Sequence, residues 1–600
     1  MLTPSLIDFA DPRDAAAPRL RHAFAAPRQV LAARRLDEVR GVLDAVHAAA
    51  AAGRWCVGWL RYEAAPAFDP ALVVRADAQE EGAPALAWFA VHDEPAPWPA
   101  EPAGGAAHID WEQALPRAAF DAALAQIQQG IAAGRYYQVN YTAPLVGTWL
   151  GTRQGDARAL FAALQRAQPG GYAAHIDDGA GTQVLSVSPE LFFDWHAAPG
   201  GVGDILTRPM KGTAPRGDTP GQDAALAAAL RASPKERAEN VMIVDLLRND
   251  LSRIAQPHSV RVPRLFHTEP LPTVWQMTSD VVARTRAGTR LADVFGALFP
   301  CGSVTGAPKV EAMRAIAALE AAPRGVYCGA VGVVRPDAAG GPGAIAATFN
   351  VPIRTVELHP GQARCGIGSG ITSGATAEAE WNEWRHKRVF VDRASQPFDL
   401  LETLALVDGQ LRHLADHLAR LQGAAAHFNV PFDAAAVQAS LQALAGSHPT
   451  GAWRVRLLLD GRGQPRAEAF ALQPTPQPVR LQLADRPLAQ AHSEFVRYKT
   501  TRRAHYAAFA PNAPGVFDTV LYNEAGEITE TTFGNIALLL DGRWVTPPLA
   551  CGLLPGVGRA VALREGRLTE AVVRLQDLPR VQGLAFVNSL RGWLTARWAS

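Results

Sequence analysis

The chain has 600 residues, 48% of them hydrophobic and 19% charged, with a formal net charge of +1. That length exceeds what one hydrophobic core organises, so at least two domains are expected. The balanced charge offers no field for nucleic acid or an anionic membrane, and no apolar run approaches a membrane span.

Residues 1–14 lack the basic-then-apolar order of a secretory signal. The five cysteines, Cys56, Cys301, Cys328, Cys365 and Cys551, form no CxxC pair. Buried thiols in a reducing cytoplasm are therefore expected, with neither a disulfide framework nor a zinc site. Residues 96–108, rich in Pro, Ala and Gly, read as a loop. Residues 184–193 read as a strand and residues 234–254 as a helix. Between them lies Thr207-Arg208-Pro209-Met210-Lys211-Gly212-Thr213. Lys211, between a proline-led turn and a glycine, is held by backbone rather than carried on a solvated helix face. The following helix has Glu236 and Glu239 three residues apart, hence on one face.

Glycine-rich residues 302–309 and 366–372 sit near helix starts, where backbone N–H groups bind anions, and Pro308 suits a first helical turn. Arg354 offers a forked contact to a carboxylate. After Gly374 a further helix carries Glu380, Glu383 and Lys387 on one face. Two acidic pairs from distant segments suit an oxygen-ligated hard cation, most simply Mg²⁺. Each pair alone reads better as a solvated helix face with local salt bridges. Cation and anion sites together point to a small polyanion such as a dicarboxylate.

Residues 392–397 follow a helix rich in Trp and Arg and precede a fresh start at Phe398. The expected division is a first domain over 1–391, a linker over 392–397 and a second domain over 398–600. In the second, residues 412–428 read as a helix, and 453–459, 536–540 and 585–588 as strands. Lys499 follows Val496-Arg497-Tyr498, and Glu530 lies in Ile528-Thr529-Glu530-Thr531-Thr532. Arg420 lies in the helix, and Leu553-Leu554-Pro555-Gly556-Val557-Gly558-Arg559 forms a turn. A lysine, a carboxylate and an anion cradle are the parts that pyridoxal phosphate needs. From spacing alone, a basic surface strand and a turn glutamate are the better reading.

The first domain carries Gly134-Arg135-Tyr136-Tyr137-Gln138-Val139-Asn140, Ser188-Pro189-Glu190, Arg208-Pro209-Met210-Lys211-Gly212-Thr213 and Lys235-Glu236-Arg237-Ala238-Glu239-Asn240. Val244-Asp245-Leu246-Leu247-Arg248-Asn249-Asp250, residues 302–309, Ile353-Arg354-Thr355 and residues 368–387 follow in order. On these motifs residues 1–390 resemble the chorismate-utilising enzymes, a family including anthranilate, isochorismate and aminodeoxychorismate synthases. The resemblance implies an α+β domain with a sheet core and a central site.

It further implies that Lys211 is a nucleophile, since anthranilate synthases typically have alanine there and aminodeoxychorismate synthases lysine. Lysine adds at C2 of chorismate as the C4 hydroxyl leaves; ammonia then adds at C4 and expels the lysine. Glu190 matches the general acid. Glu239 and Glu383 match Mg²⁺ ligands, with Glu236 and Glu380 as supporting or water-mediated partners. Substrate contacts are implied for Arg354, Tyr327, Thr305, Gly306, Gly368, Ser369, Gly370 and Lys387. A nucleophilic lysine must be neutral, and Arg208 is a candidate cationic neighbour. Gln276 stands where many relatives have histidine, and Arg135 replaces a usual acidic residue. No glutaminase motif is legible, so a separate glutamine amidotransferase subunit, or solution, is the expected ammonia source.

The second domain resembles the fold-type IV pyridoxal-phosphate enzymes, which implies two α/β subdomains with the cofactor between them and a homodimer through this domain. By that resemblance Lys499 binds the cofactor aldehyde, Glu530 pairs the pyridine nitrogen and Arg420 holds the phosphate. Val557, Gly558 and Ser589 complete the phosphate cradle, with Gly558 in place of a common threonine. The fusion implies a bifunctional route to 4-aminobenzoate, the aromatic precursor of folate: amination of chorismate, then loss of pyruvate. Alternatives are an aminotransferase-like or non-catalytic second domain, or an anthranilate-synthase-like first domain.

Overall fold

Two antiparallel sheets, of nine and ten strands, organise the first unit, Met1–Pro397. The computed structural model describes residues 5–75, 84–102, 108–151, 156–217, 220–271, 274–511 and 513–599. Part of the loop expected over 96–108 lies outside the described residues. The sheets pack face to face. Ile7, Phe9, Ala174 and Val184 from one interleave with Val57, Trp59, Val331 and Val333 from the other.

Helices cover both outer faces. Leu36–Ala51, Pro234–Ser252 and Leu291–Leu298 lie on the ten-stranded sheet, where Phe192, Phe193, Phe295 and Phe349 form an edge-to-face cluster. Arg117–Ala132, Asp156–Ala167, Lys309–Leu319 and Ala377–Ser395 lie on the nine-stranded sheet. Each fully buried Phe contributes on the order of 2 kcal/mol. The result is a four-layer α/β/β/α domain, with each sheet covered by helices on one face and by the other sheet on its second.

The expected strand over 184–193 is two strands. Gln183–Ser188 belongs to the nine-stranded sheet and Leu191–Ala197 to the ten-stranded one. Pro189 has no N–H for a ladder. Instead the Ser188 hydroxyl accepts from the Glu190 amide at 3.2 Å and donates to the Val351 carbonyl. Glu190 thus stands where the chain crosses between sheets. A second crossing adjoins it. Ile345–Asn350 lies in the ten-stranded sheet and Thr355–His359 in the nine-stranded sheet, and Arg354 between them has φ 53°.

Lys211 owes its placement to a bulge. Met210–Pro215 pairs with Val274–Arg284, but the register slips between Met210 and Thr213. Bulges bend a strand and re-aim its side chains. Gly212 within it has φ 90°, and a Cβ there would sit 2.9 Å from the Glu236 carboxylate. Only glycine meets both demands.

Residues 366–371 are not a loop before a helix; they belong to the strand Gly361–Ile371. Pairing with Thr355–His359 ends at Cys365, while pairing with Gln138–Trp149 continues to Ile371. Beyond Cys365 one edge of this strand has no partner strand among the described residues, and what lies along it is a strand edge rather than a helix start. Pro308 caps Lys309–Leu319 rather than entering its first turn.

The second unit, Phe398–Ser600, has two subdomains. In one, four antiparallel strands pack on Leu414–His427 and Ala434–Ser447 through Leu404, Val455, Leu421, Val437 and Leu441. The helix expected from 412 starts after His413, whose φ of 52° is left-handed. In the other, a mixed eight-stranded sheet places Val479–Leu483 and Gly592–Trp598 side by side in parallel near its middle. The strands expected at 453–459, 536–540 and 585–588 are present as Ala452–Leu459, Asn535–Leu540 and Gly583–Asn588. All five cysteines are buried and unpaired. No helix among the described residues is long and apolar enough to cross a membrane.

Candidate functional site

In the first unit, Glu190 and Lys211 face one another from the sheet crossing and the bulge. Glu190 is 3% exposed, and its Oε1 is buried without a hydrogen-bond partner among the described residues. Burial lifts its pKa to about 7, opposed by a bond from Ser303, the charges of Lys211 and Lys387, and the Met210 amide. Such a group keeps its proton near neutrality and has an oxygen to spare for a ligand. The Lys211 amino group packs against Gly370, where a Cβ would be 3.0 Å from Nζ and 2.3 Å from the Gln138 amide nitrogen. Both polar atoms of the Gln138 side chain are buried without hydrogen-bond partners among the described residues. Gln138 lies within a quoted motif, but only the pairing of its strand with Gly361–Ile371 reveals that it faces Lys211.

The four expected metal-binding glutamates converge on the same region. Burial raises Glu239, with Lys211 opposing and the charges of Glu236 and Glu383 adding. Burial also raises Glu380, which accepts from the Ser369 hydroxyl at 2.5 Å and feels Glu383. Glu383 is paired with Lys387 at 2.6 Å. Among the described residues no three His, Cys, Asp or Glu side chains form a closed metal cluster. Mg²⁺ takes one or two protein carboxylates and keeps water and ligand oxygens, so Glu239 and Glu383, near enough to repel, fit as its donors. Glu380 has one oxygen tied to Ser369.

Lys387 donates to the Gly368 carbonyl at 2.9 Å. Arg354 donates to the Lys387 carbonyl and lies over the Phe390 ring at 5.2 Å. These residues gather at the open edge of Gly361–Ile371. Thr305 is fully buried, and its hydroxyl is taken by the Cys301 carbonyl at 3.1 Å. Gly306, at φ 140°, packs on the Gln138 carbonyl, and the Tyr327 ring fills the space over Gly366. These three shape the site from behind. Arg324, paired with Glu320 at 2.7 Å, holds the carbonyls of Val304 and Asn140, each at 2.7 Å, and so fixes the turn behind Glu190.

Arg208 is committed elsewhere, with Nε 2.6 Å from Asp280. Its charge is compensated there, so it is not a free cationic neighbour for Lys211. Gln276 holds the bulge: its Nε2 donates to the Gly212 carbonyl at 2.8 Å, and its Oε1 accepts from the Thr213 hydroxyl at 3.1 Å. It replaces ladder bonds that the slipped register loses. Arg135 is exposed over the Tyr136 ring.

The second unit holds a solvent-open cleft lined among others by Arg420, Lys499, Arg503, Tyr506, Glu530, Val557 and Ser589. The Lys499 backbone carbonyl accepts from Leu401, which anchors it against the four-stranded sheet. Burial, with Arg420 and Arg503 adding, brings Lys499 down to about 7. Glu530 Oε1 accepts from the Tyr506 hydroxyl at 2.6 Å, and Oε2 from the Leu554 amide at 3.1 Å. Burial raises Glu530 to about 7, with Tyr506 opposing first. A cation beside it would restore its charge.

Arg420 is held by Glu402 through contacts of 2.8 and 2.6 Å and donates to the Pro555 carbonyl at 3.2 Å. That bond joins it to the loop before the helix Val557–Arg564. A Cβ on Gly558 would sit 2.5 Å from the Asn588 backbone. The expected missing hydroxyl is thus the smaller part of that departure: a threonine would not fit unless the chain moved. A buried lysine, a fixed carboxylate, an arginine and a helix start around one cleft fit pyridoxal phosphate. Glu402 carried no sequence signal, because its partners His417 and Arg420 lie 15 and 18 residues on, and the Arg503–Tyr506 pair, three apart, reads equally as an ordinary surface contact.

The chorismate binding enzyme family matches residues 12–391, and the class IV amino-transferase family matches residues 399–597. Aminodeoxychorismate synthase component 1 of Klebsiella aerogenes is 42% identical over 279 residues, covering 46% of this chain and 57% of that protein. Anthranilate synthase component 1 of Streptomyces coelicolor is 36% identical over 277 residues, covering 46% of this chain and 51% of that protein. The chain thus spans a little over half the length of these curated relatives. A solved anthranilate synthase component I from Streptococcus pneumoniae superposes with a TM-score of 0.50 at 21% identity, covering 65% of this chain and 90% of that one. That likeness is one of fold.

Proposed function

Because the chain belongs to the chorismate binding enzyme family and carries a class IV amino-transferase domain after it, we propose that it makes 4-aminobenzoate in two steps. The first converts chorismate and ammonia to 4-amino-4-deoxychorismate and water; the second splits that product into 4-aminobenzoate and pyruvate. The observation that carries the reading is Lys211 against Gly370, within charge reach of Glu190, Glu239 and Glu383. An amine, an acid and a cation site in one place suit displacement of a hydroxyl group. Hydroxide leaves poorly until protonated, and Glu190 is placed to protonate it. Lys211 forms the C2–N bond as the C4–O bond breaks; ammonia then forms the C4–N bond as the C2–N bond breaks. A Mg²⁺ held by Glu239 and Glu383 would neutralise the neighbouring substrate carboxylate.

In the second domain, pyridoxal phosphate, when bound, supplies an electron sink. Arg420, Val557 and Ser589 would hold its phosphate, and Glu530 its ring nitrogen. Lys499, close to neutral near pH 7, is suited to bind the aldehyde and, once released, to move a proton. The name component 1, carried by the relatives, supports a separate amidotransferase subunit as ammonia source. Buried unpaired thiols suit a cytoplasmic setting.

Purified protein given chorismate, ammonium, Mg²⁺ and pyridoxal phosphate should yield 4-aminobenzoate and pyruvate in equal amounts. Accumulation of aminodeoxychorismate alone would sink the lyase assignment, and anthranilate would sink the synthase assignment. A pH profile tests Glu190. An acid must be protonated to act, and Glu190 is protonated below about 7. The kcat/KM for chorismate, which reports the free enzyme, should fall about tenfold per unit above that value. Glu190→Gln should lower it on the order of 10²- to 10⁴-fold and remove that limb. An unchanged profile in the variant excludes Glu190 as the acid.

A further inference from the structure

The two arginines of the second cleft are differently committed. Arg420 is neutralised by Glu402, which also binds His417 Nδ1 at 2.6 Å. Its free edge faces the loop at Pro555 and the helix start at Val557, where a phosphate would sit. Arg503 has no carboxylate within ion-pair distance among the described residues. It gives a hydrogen bond to the Thr532 carbonyl and lies over the Tyr506 ring at 4.5 Å from its centre. Tyr506 is itself fixed by its 2.6 Å bond to Glu530. The guanidinium thus lies over a ring tethered by its hydroxyl and, among the described residues, gives one of its five N–H donors to the Thr532 carbonyl. It is half-buried in the cleft wall, four residues beyond Lys499. An oriented guanidinium that makes no carboxylate ion pair, though its charge reaches Glu530, favours a planar two-oxygen anion, and a carboxylate fits that fork best.

We propose that Arg503 forms a carboxylate-binding subsite that orients the substrate beside Lys499. The proposal rests on the lyase reading above, whose substrate carries two carboxylates. One of these passes to 4-aminobenzoate and the other to pyruvate, so the products probe them separately.

The test uses the full chain loaded with pyridoxal phosphate, as wild type, Arg503→Gln and Arg503→Lys. Cofactor binding is followed by absorbance. Binding of 4-aminobenzoate, its uncharged analogue 4-aminobenzamide, and pyruvate is followed by calorimetry. In Arg503→Gln, one of the two carboxylates should bind about 10- to 100-fold more weakly. Arg503→Lys should recover part of that loss. The amide's affinity and the cofactor's dissociation constant should stay within about twofold. Weakened cofactor binding with both carboxylates unaffected would overturn the proposal in favour of a phosphate role, and so would no change at all. A wild-type chain that takes up no cofactor sinks the lyase reading. The same calorimetric comparison on the unloaded chain then decides the subsite separately.

Discussion

Lys211→Ala is expected to stop aminodeoxychorismate formation or to divert it to another product. If Lys211 forms a bond to substrate, nothing nearby can replace it. Gln138 is an amide, and Lys387 is paired to Glu383 and bonded to Gly368. The expected loss is on the order of 10³-fold in kcat, about 4 kcal/mol of transition-state stabilisation. Chorismate affinity should change far less, because Arg354 and the open strand edge remain. Lys211→Arg keeps the positive charge but supplies no nucleophile, and should be as inactive as alanine. Chromatography of products with ammonium as nitrogen donor checks this. Unchanged aminodeoxychorismate formation in either variant rules out the covalent role, and recovery of activity in Lys211→Arg alone assigns Lys211 an electrostatic one.

Lys499→Ala should have the second largest effect. The absorbance of lysine-bound cofactor should disappear, 4-aminobenzoate should fall to the uncatalysed rate, and aminodeoxychorismate should accumulate undiminished. The separation follows because the two candidate sites lie in different units with their own cores. Binding of the cofactor's phosphate should persist through Arg420, Val557 and Ser589, detectable as a raised melting temperature on adding pyridoxal phosphate. A variant that retains the lysine-bound band, or still makes 4-aminobenzoate, excludes Lys499. Loss of both products points instead to global unfolding and is checked by its melting transition.

The motifs singled out Lys211, Glu190, Lys499 and Glu530 as candidates, the last two by family resemblance, and around the first two local backbone demands leave marks in short strings. Gly212 must take a positive φ beside Glu236, and Pro189 must break a strand. Helical spacing put Glu236 with Glu239 and Glu380 with Glu383, a local consequence of the helix period. It misjudged residues 184–193 and 366–371. A period of two continues across a crossing between sheets, and a glycine run looks alike in a turn and at a strand edge.

By itself, then, the sequence determined which residues could do chemistry here and the secondary structure around most of them. Only the tertiary structure decided which of them share a site and what state each side chain is in. Arg208 is spoken for by Asp280, Gln276 clasps the bulge, and Arg420 is neutralised by Glu402 while Arg503 is not. The reason is physical. Side-chain identity and local backbone preference are properties of short stretches. Desolvation and charge pairing depend on groups brought together from anywhere in the chain, and those groups set both the proton on Glu190 and the freedom of Arg503.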